Sequence, residues 1–387
     1  MSRSKHALVA VLSNVRADPR VRRQIEWLSA AGWTVDTLGL GDHPAPEVRD
    51  HFALLPQARW VTTKFGTFVI YLLMTQRRKF WLLTERLFPA TVRQRVAAGE
   101  YALIVLNDDD FLPWVRSPRF GAGRDAHVHL DLHEYFIPTL TRNTLWKIAT
   151  AGYYAWCRGA IADPTYTTRS TVASGIARLY EREYDLPEFA IIRNSPEYVD
   201  QKPTPVDANQ INLVHHGGAM WARGLKSMVD AMRDLDDRFT LTFMLAGDPT
   251  VVPELRAYAA DLGDRVRFAP PVAMKDLARE VNQYDLEIMF YRPTTRNLEF
   301  ALPNKFFEAV QGRLGLVIGQ SPMMAELVER HGLGVIVPGW EPADLAAALS
   351  TLTAQQVTGF KEAAHRAAHA LSAEAERDVF LAAIGRA

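Results

Sequence analysis

In the stretch ALPNKFFEAV, residues 301–310, a lysine and a glutamate stand three positions apart, just behind a Pro303–Asn304 pair. Proline suits the first turn of a helix, because its fixed φ matches and its missing N–H would be unpaired there anyway. Residues three apart lie side by side on a helical surface. Spacing alone leaves two readings of Lys305 and Glu308. One is an i,i+3 ion pair on a solvated face. The other is a positive helix end with an added cation, fit for a phosphate, and a carboxylate one turn deeper, fit for hydroxyls.

Three further clusters could carry chemistry. In LVHHGGAMWARGLKSM a strand runs into a diglycine turn and then a helix. Gly217 and Gly218 would let a phosphate approach the backbone, with Arg223 and Lys226 near the helix start. A common tight turn is the alternative, since neither a spaced dinucleotide fingerprint nor a Walker A loop is present. DLHEYF follows the apolar run HVHL, which places Asp131, His133 and Glu134 at a strand's carboxyl end. A histidine there can donate to a substrate hydroxyl or stabilise developing charge; a loop histidine satisfied by a nearby acid is the alternative. LNDDDF ends another strand with Asp108, Asp109 and Asp110. Consecutive acids cannot all converge on one ion, so helix capping or acceptor contact is the expectation, and no metal site is assigned.

The elements that must position these residues follow a repeated alternation. Short apolar runs (HALVAVLS, TVDTLGL, ALIVLN, VHLDL, PTYTT, FAIIRN) alternate with amphipathic stretches such as PRVRRQIEWLSAAG. The segment NSPEYVDQKPTPVDANQ, with three prolines, reads as a linker. The alternation then restarts with INLVHHGG, LTFMLAG, VRFAPP, LEIMFY, LGLVIG and LGVIVP. This pattern predicts an α/β protein of two Rossmann-like domains facing a cleft, with ligands beyond the carboxyl ends of the strands. At 387 residues the chain fits two domains.

Composition bounds the partners. Hydrophobic residues make up 48% and charged residues 23%, with a formal net charge of zero, which gives no support to a nucleic-acid binder. The single cysteine, Cys157, excludes an intramolecular disulfide and a cysteine zinc cluster, and suits a reducing cytoplasm. No secretory signal and no membrane-spanning apolar run is read. Charge is uneven, however: from Arg59 to Arg95 there are eight Lys/Arg against the single acid Glu85. Within it, FGTFVIYLLMTQRRKFWLLTERLF sets Arg77, Arg78 and Lys79 among aromatic and aliphatic residues. That mixture is expected of a helix lying on an anionic membrane; a buried helix with a basic solvent edge is the alternative.

These pieces, in this order, resemble a GT-B glycosyltransferase of family 4, the large retaining group that includes sucrose synthases and bacterial mannosyl- and N-acetylglucosaminyltransferases. NVRADPRVRRQIEWLSAAGWTVDTLGLG is similar to the family's first loop and helix, and DLHEY to its His-Glu segment. TTRSTVASGIARLYEREYDLP with IIRNSPEY resembles the end of its acceptor domain. GGAMWARGLKSMVDAM resembles the loop and helix that hold the donor diphosphate. LPNKFFEAVQGRLGLVIGQSPMMAELVERHGLGVIVP resembles the donor-binding block, and is the most specific of these stretches.

The resemblance implies an acceptor-binding domain over residues 1–198, a nucleotide-sugar donor domain over 199–370, and a C-terminal helix, 371–387, crossing back to the first. It implies that Glu308 binds the nucleotide ribose, that Lys305 and Arg223 hold the diphosphate, and that Gly217, Gly218 and Asn304 complete the donor site. His133 would reach the transferred sugar. Asp18, Arg20, Asp108 and Glu134 would lie on the acceptor side. The family's second glutamate stands eight positions before the ribose-binding one; here that position is Phe300, and the adjacent Glu299 is the candidate in its place. The family's arginine beside the donor-loop glycine is replaced by Gly218.

The implied reaction is retaining transfer of a sugar from a nucleotide-sugar to an acceptor hydroxyl, by same-face substitution and without a metal or other cofactor. A carbohydrate or lipid-linked acceptor in cell-envelope polysaccharide or glycolipid synthesis, at the inner face of the cytoplasmic membrane, is the expected context. A soluble small-molecule acceptor, or a non-catalytic partner protein of the same fold, are the alternatives.

Overall fold

A computed structural model describes residues 5–135 and 144–385; Phe136, the last residue of DLHEYF, lies outside them. The chain divides into two compact units, one of residues 1–192 with 377–387 and one of Arg193–Glu376.

The first unit is built on seven strands: β1 (His6–Asn14), β2 (Thr34–Leu40), β3 (Val48–Ala53), β4 (Leu103–Asn107), β5 (His127–Leu132), β6 (Tyr166–Thr171) and β7 (Ala190–Ile191). All pairings are parallel, in the order β3-β2-β1-β4-β5-β6-β7. Parallel strands covered on both faces read as near-continuous apolar runs. Accordingly Ala7–Val11 of β1 and Leu103–Leu106 of β4 are wholly buried. The edge strand β3, with the sequence VRDHFA, was not predicted. Its charged Arg49 and Asp50 suit an unpaired edge, and they hide the apolar signal by which interior strands are found.

The helix Pro19–Ala30 follows β1 and starts as the motif PRVRR predicts, with Asp18 as its N-cap. Asp18 accepts from the Arg20 and Val21 amides at 3.1 and 3.2 Å and from Ser13 Oγ at 2.8 Å. The chain re-enters this unit at Arg377, and Phe380 is buried there, its ring 5.7 Å from Trp27 and 5.6 Å from His129.

The second unit has six parallel strands: β8 (Ile211–Ala219), β9 (Phe239–Gly247), β10 (Val266–Ala269), β11 (Leu286–Met289), β12 (Gly315–Ile318) and β13 (Gly334–Ile336). Their order is β10-β9-β8-β11-β12-β13. Alternate residues feed two separate cores, as the two-residue period of a strand requires. On β12, Val317 joins one core while Leu316 and Ile318 join the other.

Both sheets reverse their strand order once, between β1 and β4 and between β8 and β11. In open parallel sheets such switch points open a crevice beyond the carboxyl ends of the strands. Most of the predicted donor-side and acceptor-side residues lie near these two places, while Arg77, Arg78 and Lys79 lie on the helix Gln76–Leu83.

Candidate functional site

In the second unit the switch point is formed by the ends of β8 and β11 and by the helix Asn304–Gln311. That helix starts one residue later than its proline suggests, with Pro303 as an extended N-cap (φ −70, ψ 149). Proline offers no side-chain acceptor, so among the described residues the N-cap position supplies no side-chain bond to the first amides of the helix. The macrodipole and these amides make that end a favourable place for an anion.

Lys305 and Glu308 are not a solvated pair. Both are buried, at 7% and 6% exposure, and each turns to a histidine of β8. Lys305 Nζ lies 3.3 Å from His215 Nε2, while His215 Nδ1 donates to the Ile288 carbonyl at 2.7 Å. That donation leaves Nε2 as the acceptor for the ammonium. Burial, with Lys305 beside it, holds His215 well below its ordinary range, so the ring is neutral. Burial also lowers Lys305 to about 8, against the pull of Glu287 and Glu308.

Glu308 belongs to a buried triad that the sequence did not reveal. His216 Nδ1 donates to Glu287 Oε2 at 2.8 Å, and its Nε2 donates to Glu308 Oε2 at 3.0 Å. Burial opposes the charge on His216, but the two carboxylates outweigh it and raise the group to about 9, so the ring is an imidazolium. Glu287 is wholly buried in the middle of β11, paired in register with Val214. An acid inside a four-residue strand, LEIM, and paired histidines ending INLVHH were the available signals. Buried ionisable groups persist in such strands only with partners.

Two glycines are required here. Gly217, at φ +119, lets the Lys305 chain pass: a Cβ there would stand 3.2 Å from its Cε and Nζ. Gly224, at φ +70, presses against the segment just past β11, where a Cβ would come within 2.0 Å of the Phe290 carbonyl oxygen. This close approach brings Arg223 over the Tyr291 ring, 5.2 Å from guanidinium carbon to centroid. Gly218 is exposed, and a Cβ there would meet only Met220, at 3.7 Å. Lys226 turns instead to the rings of Trp221 and Tyr258, at 4.9 and 5.0 Å. Asn304 is exposed at the helix start, and Glu299 is half-buried at the end of the short helix Arg296–Glu299.

In the first unit the switch point is organised by Asp131 at the end of β5. Arg20 Nε and Nη2 grip both its oxygens, at 2.6 and 2.7 Å, and Arg20 Nη1 donates to the Ile192 carbonyl. Gln24 Nε2 and Ser170 Oγ donate to the same carboxylate, at 2.6 and 2.7 Å. Burial would raise this acid, but Arg20 and His133 hold it well below the usual carboxylate range. Arg20, expected on the acceptor side, is thus a buried brace of its own unit, and Asp18 is its helix cap. Replacing Arg20 by Ala should leave a wholly buried carboxylate without its cation and cost about 3–5 kcal/mol, read from denaturant unfolding. Because the folded acid is depressed, this contribution is present above about pH 4 and is lost as pH falls through the folded value.

His133 sits just past β5, its Nδ1 3.2 Å from Asp108 Oδ1 and its Nε2 3.5 Å from Asp131 Oδ2. Asp108 takes a left-handed conformation, φ 64, and its amide donates to the Asp131 carbonyl at 2.9 Å. Such a backbone in a non-glycine residue is held by its surroundings, here by this bond and by His133. Burial, then the neighbouring acids Asp110 and Asp108, push Asp109 up to about 7. Glu134 is exposed, and its carbonyl accepts from Tyr180 Oη at 2.9 Å. Among the described residues no group of three or more His, Cys, Asp or Glu is placed to hold a metal ion.

In the segment rich in basic and aromatic residues, Arg77 and Arg78 are exposed. Lys79, expected beside them on the surface, is buried, with its Nζ 5.7 Å from the Tyr71 ring.

Residues 210–355, within the second unit, match the family model described as glycosyl transferases group 1. The whole chain is similar in fold to a glycosyltransferase from Rickettsia africae, with TM-score 0.67, 14% identity and 98% of each chain covered. It is equally similar to the sucrose-phosphate synthase of Thermosynechococcus elongatus, with TM-score 0.67, 15% identity and 96% of each chain covered. Anabaena Alr3699/HepE, solved in complex with UDP, has TM-score 0.67 and 15% identity, over 99% of this chain and all of that one. No curated protein matches the chain. The fold is therefore that of the GT-B glycosyltransferases, as the resemblance implied, and the second unit carries the sequence signature of group 1.

Proposed function

We propose that this chain moves a sugar from a nucleoside-diphosphate donor held in its second unit to an acceptor hydroxyl. The observation that carries the reading is the pairing of an open helix end and two cations, Lys305 and Arg223, with a carboxylate one turn in that is held by an imidazolium. A diphosphate at the helix entrance would meet Lys305, Arg223 and the amides of the first turn, and the ribose hydroxyls would then donate to Glu308. The charge growing on the leaving diphosphate is the largest change in the reaction, and preorganised cations and amides stabilise it without reorganisation. In same-face substitution the anomeric configuration is retained, and the leaving phosphate takes the acceptor's proton. Within this reading Lys305 and Arg223 supply the positive charge at the diphosphate, and His133, braced by Asp108 and Asp131, contacts the transferred sugar. Within the same reading Glu299, one position out of step with the family's second glutamate, is the candidate for a carboxylate near that sugar. A lipid-linked or carbohydrate acceptor of the cell envelope belongs to the same reading and is supported by the basic and aromatic segment 59–95.

The test is a thermal-shift comparison of UDP, GDP, dTDP and ADP on the native protein and on Glu308→Ala. A ligand bound by the native state alone raises the melting temperature with its occupancy. One nucleotide is expected to stabilise the native protein and not the variant. If no nucleotide shifts the melt, or the variant responds as the native protein does, the assignment of this site falls.

A further inference from the structure

The first unit carries an apolar surface that its own fold leaves uncovered. The helix Lys64–Leu73 begins at Thr63, whose hydroxyl accepts from the Gly66 amide at 3.0 Å, and it buries Ile70. Its opposite side presents Phe65, Phe68 and Leu72, exposed by 78%, 55% and 51%, and Leu73 at its end is 77% exposed. Phe65, Phe68 and Leu72 follow at spacings of three and four and so share one face. Among the described residues twelve large hydrophobic side chains are exposed, and six of them fall between Leu55 and Leu73. Apolar area gathered this way marks a contact surface rather than the scattered exposure normal for a soluble protein.

Beside this helix lies an open groove of about 650 Å³. Its walls are apolar, formed chiefly by Trp60, Met74, Trp81 and Leu82. Four arginines border it: Arg77, Arg78, Arg86 and Arg119. Glu85, the single acid of the segment 59–95, is turned inward, where Ser117 Oγ donates to it, and Arg119 stands 3.8 Å away. The Glu85 side chain is buried, at 1% exposure, and is not among the residues that line the groove. Arg119 also lies over the Trp81 ring, at 5.7 Å, where aromatic and cation share one wall. Hydrocarbon walls, a cationic border and an exposed apolar helix form the pattern of a surface that takes an amphiphile with a negative head.

We propose that this groove binds the hydrocarbon chain of an anionic lipid at a membrane surface, with Phe65, Phe68, Leu72 and Leu73 entering the interface. Arg77, Arg78, Arg86 and Arg119 meet the headgroup phosphate. Peripheral contact follows from this geometry, and among the described residues no helix is long and apolar enough to cross a membrane. The proposal gives the acceptor side of the proposed function its physical station; it rests on that reading only for the transfer step.

The experiment uses the full chain with vesicles of phosphatidylcholine, alone or mixed with phosphatidylglycerol, the latter also with brominated acyl chains. The native protein should sediment with the anionic vesicles and much less with the neutral ones. Arg77→Ser with Arg78→Ser should weaken anionic binding about tenfold or more, since each arginine near such a surface contributes roughly fivefold. Phe65→Ser with Phe68→Ser should lower it as well, and both residues are exposed enough for the fold to survive the change. Brominated chains should quench tryptophan emission, and less so in Trp60→Phe with Trp81→Phe. Nucleotide thermal shift separates the two ideas: a native protein that keeps its nucleotide shift but does not bind the anionic vesicles overturns the lipid site and leaves the sugar-transfer reading intact, whereas the variants should keep that shift while losing vesicle binding. Vesicle binding with no quenching that depends on Trp60 and Trp81 also overturns it, as charge alone would then hold the protein. Concentration-dependent dimerisation lost in Phe65→Ser with Phe68→Ser, without vesicle binding, would assign the surface to a second copy of the chain instead.

Discussion

Replacing Lys305 by Ala is expected to weaken binding of the nucleoside diphosphate by about a hundredfold, measured by isothermal titration, with the fold retained. A charge-assisted contact to phosphate contributes roughly 1.5–3 kcal/mol, and Lys305 is buried where solvent screens little of it. Alanine also removes a desolvated cation, so the variant should not melt earlier than the native protein. The same lysine sets a pH dependence whose sign can be worked out. Burial, as the leading cause, lowers free Lys305 to about 8, and the arriving diphosphate raises it. The complex therefore holds more protons than the free protein above about pH 8, and affinity must fall as pH rises through that value. Between about pH 7 and about pH 9 the native protein should lose affinity by up to about tenfold, because each full unit above the free pKa removes a factor of ten. Lys305→Ala should show no such fall. An affinity independent of pH over this interval would mean that Lys305 does not touch the phosphate.

The elements were legible because buried parallel strands announce themselves as apolar runs. INLVHHGG, LTFMLAG and LGLVIG became β8, β9 and β12 with shifts of a few residues. The exception, β3, is an edge strand whose Arg49 and Asp50 serve Asp36 and Arg95, so its composition is that of a loop. Site positions were legible where backbone need and charge coincide in a short span, as at Gly217 and Lys305, which the structure brings into contact. What one sequence could not disclose was the direction of side chains. Lys79, expected on the surface beside Arg77 and Arg78, and Arg20, expected on the acceptor side, are each buried in their own unit, Lys79 over the nearby Tyr71 ring and Arg20 against Asp131, 111 residues along the chain. The i,i+3 spacing of Lys305 and Glu308 left open a mutual ion pair or a site for phosphate and hydroxyls. Their partners are His215 and His216, neighbours in sequence whose side chains leave opposite faces of β8, so period two decided what the helix alone left open.

His216→Gln should have the larger effect on the protein itself. In the native unit one imidazolium lies between two carboxylates, within 2.8 Å of Glu287 and 3.0 Å of Glu308. Glutamine can hydrogen-bond to them but cannot neutralise them, which leaves two buried acids near one another with no cation between. Removing one partner of such a buried group costs about 3–5 kcal/mol, seen as a fall in the denaturant midpoint. The folded pKa of His216 is raised to about 9, against about 6.5 unfolded. Its stabilising contribution is therefore complete below about pH 6.5 and disappears as pH rises through about 9, so the gap between native protein and variant should narrow over that interval. Adding Glu287→Gln to the variant removes one of the opposed charges and should recover part of the loss, an interaction that a double-mutant cycle isolates. Function supplies a readout that a general loss of stability would not move. A ribose hydroxyl donating to an ionised carboxylate contributes roughly 1.5–3 kcal/mol, so the native protein should prefer the nucleoside diphosphate over its 2′-deoxy form by about tenfold or more. In His216→Gln, Glu308 loses the imidazolium that fixes its orientation, and the preference should shrink toward unity while the diphosphate still binds through Lys305 and Arg223. Retention of the full ribose preference in a well-folded His216→Gln protein would show that Glu308 needs no imidazolium, and the triad would then be a support of the sheet alone.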